Sequence, residues 1–195
     1  MSRPGDYFYK KAKSEGFAAR SVFKLEEIDN KHKLIKRGMK VLDFGAAPGS
    51  WMQYASRKIG PEGFILGVDL SEIEYGFPNG KTVIMDLFEL KVTEEPLKEK
   101  IPFDFFQSDA MVKTSGVPEM DCARSIALVE YSLHLARQGG LKNGGNFLAK
   151  VFEGSGFQEF IKDMRTSFEK VAFLRPKAIR SNSREVYVLG LNFKK

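Results

Sequence analysis

Residues 39–51 read MKVLDFGAAPGSW, and this stretch decides the fold. The apolar run at 39–44 predicts a strand, residues 45–49 form a turn with glycine at both ends, and a helix-compatible segment follows. A strand, a tight glycine turn and a helix make the first unit of an open α/β sheet, whose ligands bind at the carboxyl ends of its strands. We therefore predict an α/β, Rossmann-like fold with a cofactor site at this turn.

The spacing within the turn discriminates between cofactors. Gly45 and Gly49 let the backbone approach a bound molecule closely, because glycine has no Cβ. A nicotinamide-dependent oxidoreductase would need G-x-G-x-x-G, with its second glycine under a pyrophosphate, where this chain has Ala46 and Ala47. S-adenosylmethionine has no pyrophosphate, and its ammonium group suits Asp43 beside the turn. The turn therefore favours S-adenosylmethionine as the cofactor.

Three further apolar runs also end in a carboxylate. They span residues 63–69, 82–86 and 103–109, and their acids are Asp69, Asp86 and Asp109. Because the carboxyl ends of parallel strands meet at one edge of a sheet, we expect this edge to be negatively charged. Asp69 follows the glycine turn by about 20 residues, where an acid accepts hydrogen bonds from ribose hydroxyls. Any single acid could instead cap the following helix, but the whole set favours a cofactor site.

Length and composition indicate one soluble domain, residues 1–195. No apolar run approaches the length of a membrane span, and the first residues do not resemble a signal peptide, so we expect no membrane contact. The single Cys122 excludes an internal disulfide and fits a reducing, cytoplasmic compartment. With one Cys and only His32 and His134, we expect no metal site. We also expect the protein to be a monomer.

Charge is distributed unevenly along the chain. Residues 1–40 hold 11 Lys and Arg against 5 acids, residues 41–161 hold 11 against 17, and residues 162–184 hold 7 against 2. A basic surface beside an acidic pocket suits an enzyme that binds a polyanion and a cationic cofactor. We expect the basic helical segment 1–37 to contribute to RNA binding and the loop 175–184 to form a phosphate-binding rim. A surface charged only for solubility, and a flexible turn at 175–184, are the alternatives.

The remaining patterns predict alternating helices and strands. Two helices are predicted within residues 5–36, the second at 18–36 with Val22, Leu25 and Ile28 at helical spacing. Further helices are predicted at 118–137 and 156–168, and further strands at 144–152, 171–174 and 186–191. Together these elements predict a mostly parallel central sheet with one antiparallel strand near its end.

Four motifs, in this order, resemble those of one known family. They are DFGAAPGSW, SDAM, LAKVFEG and SREVYVL, preceded by RSVFKLEEI at residues 20–28. Over nearly the whole chain they are similar to the FtsJ/RrmJ family of RNA ribose 2′-O-methyltransferases, in particular its bacterial enzymes for large-subunit ribosomal RNA. The resemblance implies S-adenosylmethionine-dependent methylation of a uridine ribose in that RNA. Transfer RNA as the substrate, and a non-catalytic RNA-binding ribosome assembly factor, are the alternatives.

The resemblance also implies roles for individual residues. The family's catalytic Lys-Asp-Lys-Glu tetrad falls on Lys24, Asp109, Lys150 and Glu185. With Gly45 of the turn, the expected cofactor contacts are Gly45, Gly49, Trp51, Asp69, Asp86 and Asp109. The family usually reads SDMAP after the fourth strand, whereas residues 108–112 read SDAMV, without the proline. A base methyltransferase would usually carry an Asn/Asp-Pro-Pro-aromatic motif here, and SDAMV does not match it.

The tetrad suits methyl transfer to an alcohol. The displacement needs the oxygen, methyl and sulfur atoms in line, and an alcohol is a weak nucleophile until its proton is engaged. Lys150 interrupts the apolar run 146–152, where a buried strand would prefer an apolar residue. Burial and the nearby Lys24 favour a neutral Lys150 amine, whereas Asp109 and Glu185 favour its ammonium form. From the sequence, both forms stay open.

Overall fold

The computed structural model describes residues 4–111, 115–179 and 183–194. In chain order, the helices are α1 (Pro4–Ser14), α2 (Val22–His32), α3 (Ser50–Ile59), α4 (Pro118–Leu135) and α5 (Phe157–Ser167). The strands are β1 (Lys40–Phe44), β2 (Phe64–Asp69), β3 (Gly80–Ile84), β4 (Phe103–Ser108), β5 (Leu141–Phe152), β6 (Phe168–Leu174) and β7 (Glu185–Phe193). A 3₁₀ turn spans Leu87–Glu89, and a π-helical turn at Ala136–Gly140 leads from α4 into β5.

The described strands form one seven-stranded sheet with the order β3-β2-β1-β4-β5-β7-β6. Neighbouring strands from β3 to β5 are parallel, whereas β7 runs antiparallel to both β5 and β6. The predicted α/β architecture, with a mostly parallel sheet and one antiparallel strand, is confirmed. The strand order reverses between β1 and β4, and a crevice for a ligand forms at the carboxyl ends on either side of such a point.

Element boundaries differ from the prediction by a few residues. The largest difference is α2, predicted at 18–36 and observed at Val22–His32, because Lys33 adopts a left-handed backbone conformation (φ 54°) that ends the helix. The third strand ends at Ile84 rather than at Asp86. Asp86 instead follows the strand and accepts a hydrogen bond from the Phe88 N–H, which caps the 3₁₀ turn.

Alternation of side chains along the strands builds a core on both faces of the sheet. In β1, Leu42 and Phe44 belong to the cluster that includes α4 and α5, whereas Val41 belongs to the cluster that includes α2 and α3. All three side chains are at most 1% exposed, as expected for a sheet covered on both faces. Burial of each of these side chains contributes roughly 1.5–3 kcal/mol to the stability of the folded protein. A one-residue slip would exchange the faces, so this core also fixes the register.

The same alternation places polar side chains on the face of the sheet that α2 and α3 cover. Asp43 is aligned with Gln107 between β1 and β4, and Lys150 is aligned with Tyr187 between β5 and β7. Glu185 lies two residues before Tyr187 on β7 and therefore shares its face. The sheet thus collects these groups on one face near its carboxyl edge.

Candidate active site

The glycine turn packs against the loop that follows β4. Gly45 has a φ of +70°, and a Cβ at this position would lie 2.4 Å from the Cα of Ala110. Because that contact is with backbone, no other residue fits at position 45 unless the loop moves. The Ala47 N–H donates a hydrogen bond to Asp69 Oδ2 at 2.9 Å, which joins the turn to the end of β2. The carboxyl ends of β1, β2 and β4 therefore meet around the turn.

A cavity of about 370 Å³ opens at these carboxyl ends, within the roughly 300–1,000 Å³ of small-molecule sites. Five predicted site residues line it: Gly45, Asp69, Asp86, Asp109 and Lys150. Its apolar wall, which the sequence did not predict, is formed by Val68, Leu70, Met85, Leu87, Met111 and Leu128. Apolar walls with a few carboxylates suit a ligand that combines a ring, hydroxyl groups and positive charge.

Gly49 and Trp51, two predicted cofactor contacts, are not part of the cavity lining. Gly49 precedes α3 with a φ of +104°, a conformation that favours glycine. The Trp51 side chain is 2% exposed, and its Nε1 donates a hydrogen bond to the Ser21 carbonyl at 2.9 Å. Its ring stacks on Tyr187 with 5.7 Å between the ring centroids. The Trp51 side chain therefore supports the site from behind, and contact of either residue with a cofactor stays a prediction.

Asp69 and Asp86 each combine a structural hydrogen bond with a place in the cavity lining. The two oxygens of Asp69 accept hydrogen bonds from the N–H groups of Ala47 and Ser71, at 2.9 and 2.8 Å. Asp86 Oδ1 accepts one from the Phe88 N–H at 3.0 Å. The capping alternative is therefore correct for Asp86, although its side chain also lines the cavity. A carboxylate oxygen has a second lone pair, so each acid can still accept a hydrogen bond from a ligand.

Asp43 is buried beneath the turn rather than exposed to the cavity. It is 0% exposed, and neither its carboxylate oxygens nor the amide of the adjacent Gln107 has a hydrogen-bond partner among the described residues. Burial raises the pKa of Asp43 well above its usual range. The Gln107 side chain lowers this pKa in part, whereas the negative charges of Asp109 and Asp69 raise it further. A cation in the cavity above would favour the ionised form of this acid.

The four predicted catalytic residues form two adjacent lysine–carboxylate pairs. Lys150 Nζ donates a hydrogen bond to the Asp109 backbone oxygen at 2.6 Å and lies 3.1 Å from its Oδ1. Lys24 Nζ forms an ion pair with Glu185 Oε1. The two lysines are only 6% and 9% exposed, and lysines are rarely buried to this extent unless they are paired. Packing of α2, β5, β7 and the end of β4 therefore brings the four residues together.

Tyr187, which the sequence analysis did not single out, joins the two pairs. Its hydroxyl lies 2.6 Å from Asp109 Oδ1 and 3.0 Å from Glu185 Oε1. Burial, together with these two carboxylates, raises the pKa of Tyr187 well above its usual range, so the phenol keeps its proton and donates a hydrogen bond. Alternation along β7 could have identified it, because residues i and i+2 of a strand share a face.

Lys150 connects the pairs to the cavity. Within the tetrad, Asp109 and Lys150 line the cavity, whereas Lys24 and Glu185 lie beyond its lining. An ammonium group has three donor positions, and the hydrogen bond to the backbone oxygen of Asp109 uses one of them, while Oδ1 forms an ion pair with the same group. A further donor position can engage a hydroxyl group. This arrangement can therefore hold an alcohol oxygen beside a ligand in the cavity.

Two parts of the segments predicted to bind RNA, α1 and the residues after β6, lie against α2, the helix that carries a tetrad lysine. The Phe8 ring of α1 lies 5.6 Å from the Phe23 ring of α2, and Lys11 Nζ lies 4.3 Å from the centre of that ring. The Lys177 N–H donates a hydrogen bond to Glu27 Oε2 at 2.9 Å, which holds the segment after β6 against α2. Lys11 and Lys177 thus border one groove.

A second cavity, of about 440 Å³, lies along the outer side of α3. Its lining residues include Gln53, Arg57, Tyr75, Phe77 and Asn79, but neither a carboxylate nor a lysine. It therefore lacks the carboxylates and the buried lysine that line the cavity at the glycine turn. We assign the chemistry to the cavity at the glycine turn.

Two expectations fall on parts of the chain that the structure does not describe. Val112 of the SDAMV departure and Arg180 of the expected phosphate-binding rim both lie outside the described residues. Within the described ranges, no group of three His, Cys, Asp or Glu side chains is placed to hold a metal ion. No helix of these ranges is long and apolar enough to cross a membrane.

The fold and the site define a Rossmann-like methyltransferase, with a glycine turn at the reversal of strand order and buried lysines beside the cavity. The family model of the FtsJ-like methyltransferases matches residues 17–193. The chain therefore belongs to the FtsJ-like methyltransferase family and is a methyltransferase, which confirms the family and the enzyme class predicted from the motifs.

Relatives and a solved structure match over nearly the full chain. A protein of Syntrophobacter fumaroxidans named ribosomal RNA large subunit methyltransferase E is 42% identical, over 97% of this chain and 96% of its own length. A protein of the same name from Bdellovibrio bacteriovorus is 44% identical, over 98% of both chains. The crystal structure of a Plasmodium falciparum protein described as a ribosomal RNA methyltransferase has a TM-score of 0.79 at 26% identity, covering 91% of this chain and 98% of that one.

Proposed function

We propose that this protein transfers a methyl group from S-adenosylmethionine to the ribose 2′-hydroxyl of a uridine in large-subunit ribosomal RNA. The observation that carries the proposal is the Lys150–Asp109 pair, which holds a buried lysine at the wall of the cofactor cavity. The names of the bacterial relatives support this RNA. Cytoplasmic location and action as a monomer are part of the same proposal.

The lining of the cavity fits S-adenosylmethionine. Asp69 and Asp86 supply carboxylates for hydroxyl and amino groups, and the apolar wall supplies a surface for the adenine ring. Gly45 permits a close approach of the ligand to the backbone. The unpartnered Asp43 below the turn would ionise more readily beneath a cationic ligand. When bound, the cofactor supplies an electrophilic methyl group on its sulfonium.

Lys150 positions the ribose hydroxyl. Its two contacts with Asp109 restrict the position of Nζ, and alignment of the reacting groups accounts for much of the rate of a displacement. A neutral Lys150 would accept the hydroxyl proton, whereas an ammonium group would orient the oxygen lone pair. A rate that rises with pH indicates the neutral amine, and a rate that is flat around neutral pH indicates the ammonium form.

Lys24 and Glu185 complete the site from α2 and β7. Glu185 holds the Lys24 ammonium group, and Tyr187 links this pair to Asp109. Beyond the pair lies the groove bordered by Lys11 and Lys177, whose lining holds three lysines and two glutamates. Its excess of positive charge suits the phosphate groups of the RNA. The RNA backbone would therefore bind across α1, α2 and the segment after β6, with the target ribose at Lys150.

Mapping of ribose methylation tests the proposal. RNA from cells with and without this protein is mapped for 2′-O-methyl groups, and we expect one site in large-subunit ribosomal RNA to disappear with the protein. The parent gene should restore the site, and a gene encoding Lys150→Ala should not.

The other outcomes identify the alternatives. If the only methyl group lost lies in transfer RNA, the substrate is transfer RNA and not ribosomal RNA. An unchanged map together with defective subunit assembly would favour the non-catalytic assembly factor. Purified protein incubated with large subunits, with free ribosomal RNA or with transfer RNA then identifies the form of the substrate.

A further inference from the structure

The first residues of α2 and α3 meet at the wall of the cofactor cavity. Ser21, immediately before α2, lines that cavity, and its Oγ lies 2.9 Å from the Oγ of Ser50, the first residue of α3. A serine before a helix usually accepts a hydrogen bond from an N–H group of its own helix. The Ser21 side chain makes no such bond, and its hydroxyl is directed to the other helix. The local preference is overridden by a tertiary contact.

The backbone carbonyl of Ser21 also joins the two helices. It accepts a hydrogen bond from the Trp51 indole N–H of α3 at 2.9 Å and one from the Lys24 N–H of α2 at 3.0 Å. Ser21 thus connects the cofactor cavity, the start of α3 and the backbone of a tetrad lysine. We use "Ser21 joint" for these three contacts, to Ser50, Trp51 and Lys24.

We infer that Ser21 is a positioning residue for Lys24. Through the Ser21 joint, Ser21 sets the location of this lysine relative to the cofactor. This inference rests on the proposed function. Lys24 is held at both ends. Its backbone N–H donates to the Ser21 carbonyl. Its ammonium group pairs with Glu185 and lies 5.6 Å from the centre of the Tyr187 ring. Trp51, which donates to Ser21, stacks on that same Tyr187 ring. The contacts therefore form a closed loop around Lys24.

The Ser21 joint is not needed to attach α2 to the protein, because the other end of α2 has its own anchor. The buried Asp29 accepts hydrogen bonds from the Ile35 N–H at 2.9 Å and from the Tyr54 hydroxyl of α3 at 2.8 Å. Lys58 Nζ of α3 lies 3.3 Å from the same carboxylate. Removal of the Ser21 hydroxyl should therefore leave α2 folded and docked, and should change only the placement of its first turn.

Ser21→Ala tests the inference, with Ser56→Ala as its matched control. Ser56, like Ser50, is a buried serine of α3, and its hydroxyl donates a hydrogen bond to Asn79 Oδ1 rather than contacting Ser21. We expect Ser21→Ala to lower kcat for RNA methylation about tenfold, in line with the loss of one hydrogen bond. The KM for RNA and the cofactor affinity, measured by calorimetry, should stay within about twofold of the parent values, because binding of both substrates in the ground state should hardly change. Ser56→Ala should leave kcat unchanged.

A double-mutant cycle and a spectroscopic signal separate positioning from general destabilisation. Ser50→Ala should reproduce the effect of Ser21→Ala, and the double variant should be no slower than either, because both changes remove the same contact. Trp51 is the single tryptophan of the chain, so its indole N–H gives one resonance in a ¹H–¹⁵N spectrum. That resonance should shift in Ser21→Ala and in Ser50→Ala, and stay in place in Ser56→Ala.

Specific results would overturn the inference. A parent-like kcat in Ser21→Ala, or equal losses in Ser21→Ala and Ser56→Ala, would show that the Ser21 hydroxyl does not position Lys24 through its contact with Ser50. If Lys24→Ala kept the parent rate, the proposed role of Lys24 would fail and the inference with it. If Lys24→Ala were inactive while Ser21→Ala was unaffected, the proposed function would stand and the inference alone would fail. An indole resonance unchanged in Ser21→Ala would also refute the joint, even without any activity measurement.

Discussion

The two halves of the active site are built in different ways. The cofactor half uses residues 43–86, in which acids lie at strand ends or in the turns that follow them. The tetrad half joins residues that are far apart in the chain: Lys24 and Glu185 are 161 positions apart, and Lys150 and Asp109 are 41 apart. The first half therefore follows from local strand–turn units, whereas the second exists only after α2, β5 and β7 have packed together.

This difference predicts which measurement responds to a substitution. In the cofactor half, Asp69 and Asp86 already have backbone partners and can add hydrogen bonds to a ligand, so loss of either carboxylate should weaken cofactor affinity. A tetrad residue acts at the reacting oxygen, so its loss should lower the rate of a protein that still binds both substrates. The separation of affinity from rate is thus the main test of the two-part site.

Lys150→Ala should give the largest effect. We expect the rate of methyl transfer to fall by about 10²–10⁴-fold, the range of a positioned acid or base, while cofactor and RNA affinities stay nearly unchanged. Single-turnover assays with mapped 2′-O-methyl product measure the rate. Lys142→Ala is the matched control, because Lys142 lies on the same strand but is paired with Asp104. A Lys150→Ala protein with substantial activity would contradict the tetrad assignment.

Asp69→Ala should have the next largest effect, and it should be on affinity. Loss of a carboxylate that accepts hydrogen bonds from the ligand should weaken S-adenosylmethionine binding by about 1.5–3 kcal/mol, measured by calorimetry. The rate at saturating cofactor should change little. Asp163 lies on α5, is paired with Arg137 and is not part of the cavity lining, so Asp163→Ala should bind the cofactor like the parent. Unchanged affinity in Asp69→Ala would remove this residue from the cofactor site.

Tyr187→Phe should reduce the rate about tenfold, because it removes a hydrogen bond to charged groups. The phenylalanine ring keeps the stack on Trp51, so the variant isolates the hydroxyl that lies between Asp109 and Glu185. Tyr131→Phe is the control, since the Tyr131 hydroxyl bonds only the Leu90 carbonyl among the described contacts. Equal rates for the two variants would show that the hydroxyl between the carboxylates does not order the tetrad.

A smaller effect is expected from the basic groove. RNA affinity should fall by about 0.7–0.9 log units per log unit of salt for each phosphate contact. Charge reversal at Lys11 and Lys177 together should flatten that slope in binding titrations and leave cofactor affinity unchanged. Lys91→Glu adds a negative charge beside Glu94, away from this groove, and should keep the parent slope. A complex insensitive to salt would argue for a small-molecule substrate.

The smallest effect concerns Asp43, in the cofactor half, and appears in stability. The folded protein holds the Asp43 proton to higher pH than the unfolded chain, in which the aspartate pKa is about 3.9. The stability from this group is therefore fully present below the unfolded pKa and is lost as the pH rises through the folded pKa, by up to about 1.4 kcal/mol per pH unit. Urea unfolding without cofactor should show this slope in the parent and not in Asp43→Asn. If the free energy of unfolding changed with pH equally in the parent and in Asp43→Asn, the predicted role of Asp43 would be refuted.

Much of the cofactor half could be predicted because its signals are local. Gly45 was identified from the turn, and the structure supplies the reason, since any Cβ would meet the backbone of Ala110. Asp69 was identified from its distance after the turn and does line the cavity. Asp43 was expected to face the ligand, but the pleat directs it under the turn, where it is fully buried. Burial of a single side chain depends on neighbouring strands, which no local pattern reports.

In the tetrad half, Lys24 and Glu185 could be predicted only through the family resemblance, whereas Asp109 also stands at a strand end and Lys150 interrupts an apolar run. Lys24 looks like an ordinary helical lysine in the sequence, and only the packing of α2 places it against Glu185. Tyr187 and Ser21 went unnoticed because their partners lie on other elements, 78 positions away for Asp109 and 29 for Ser50. Alternation along β7 places Tyr187 on the face of Glu185, but no periodicity reveals its contact with Asp109 or the contact of Ser21 with Ser50.

The sequence by itself determined the strand–turn–helix units, the acids at their carboxyl ends and the basic and acidic segments of the chain. These features follow from backbone geometry and charge within a few residues. Tertiary structure alone decided which lysine meets which carboxylate, that Tyr187 lies between the two pairs, and that Ser21 joins α2 to α3. The physical reason is register: the antiparallel placement of β7 beside β5 aligns Lys150 with Tyr187, and strand pairing across the chain is set by the packed core.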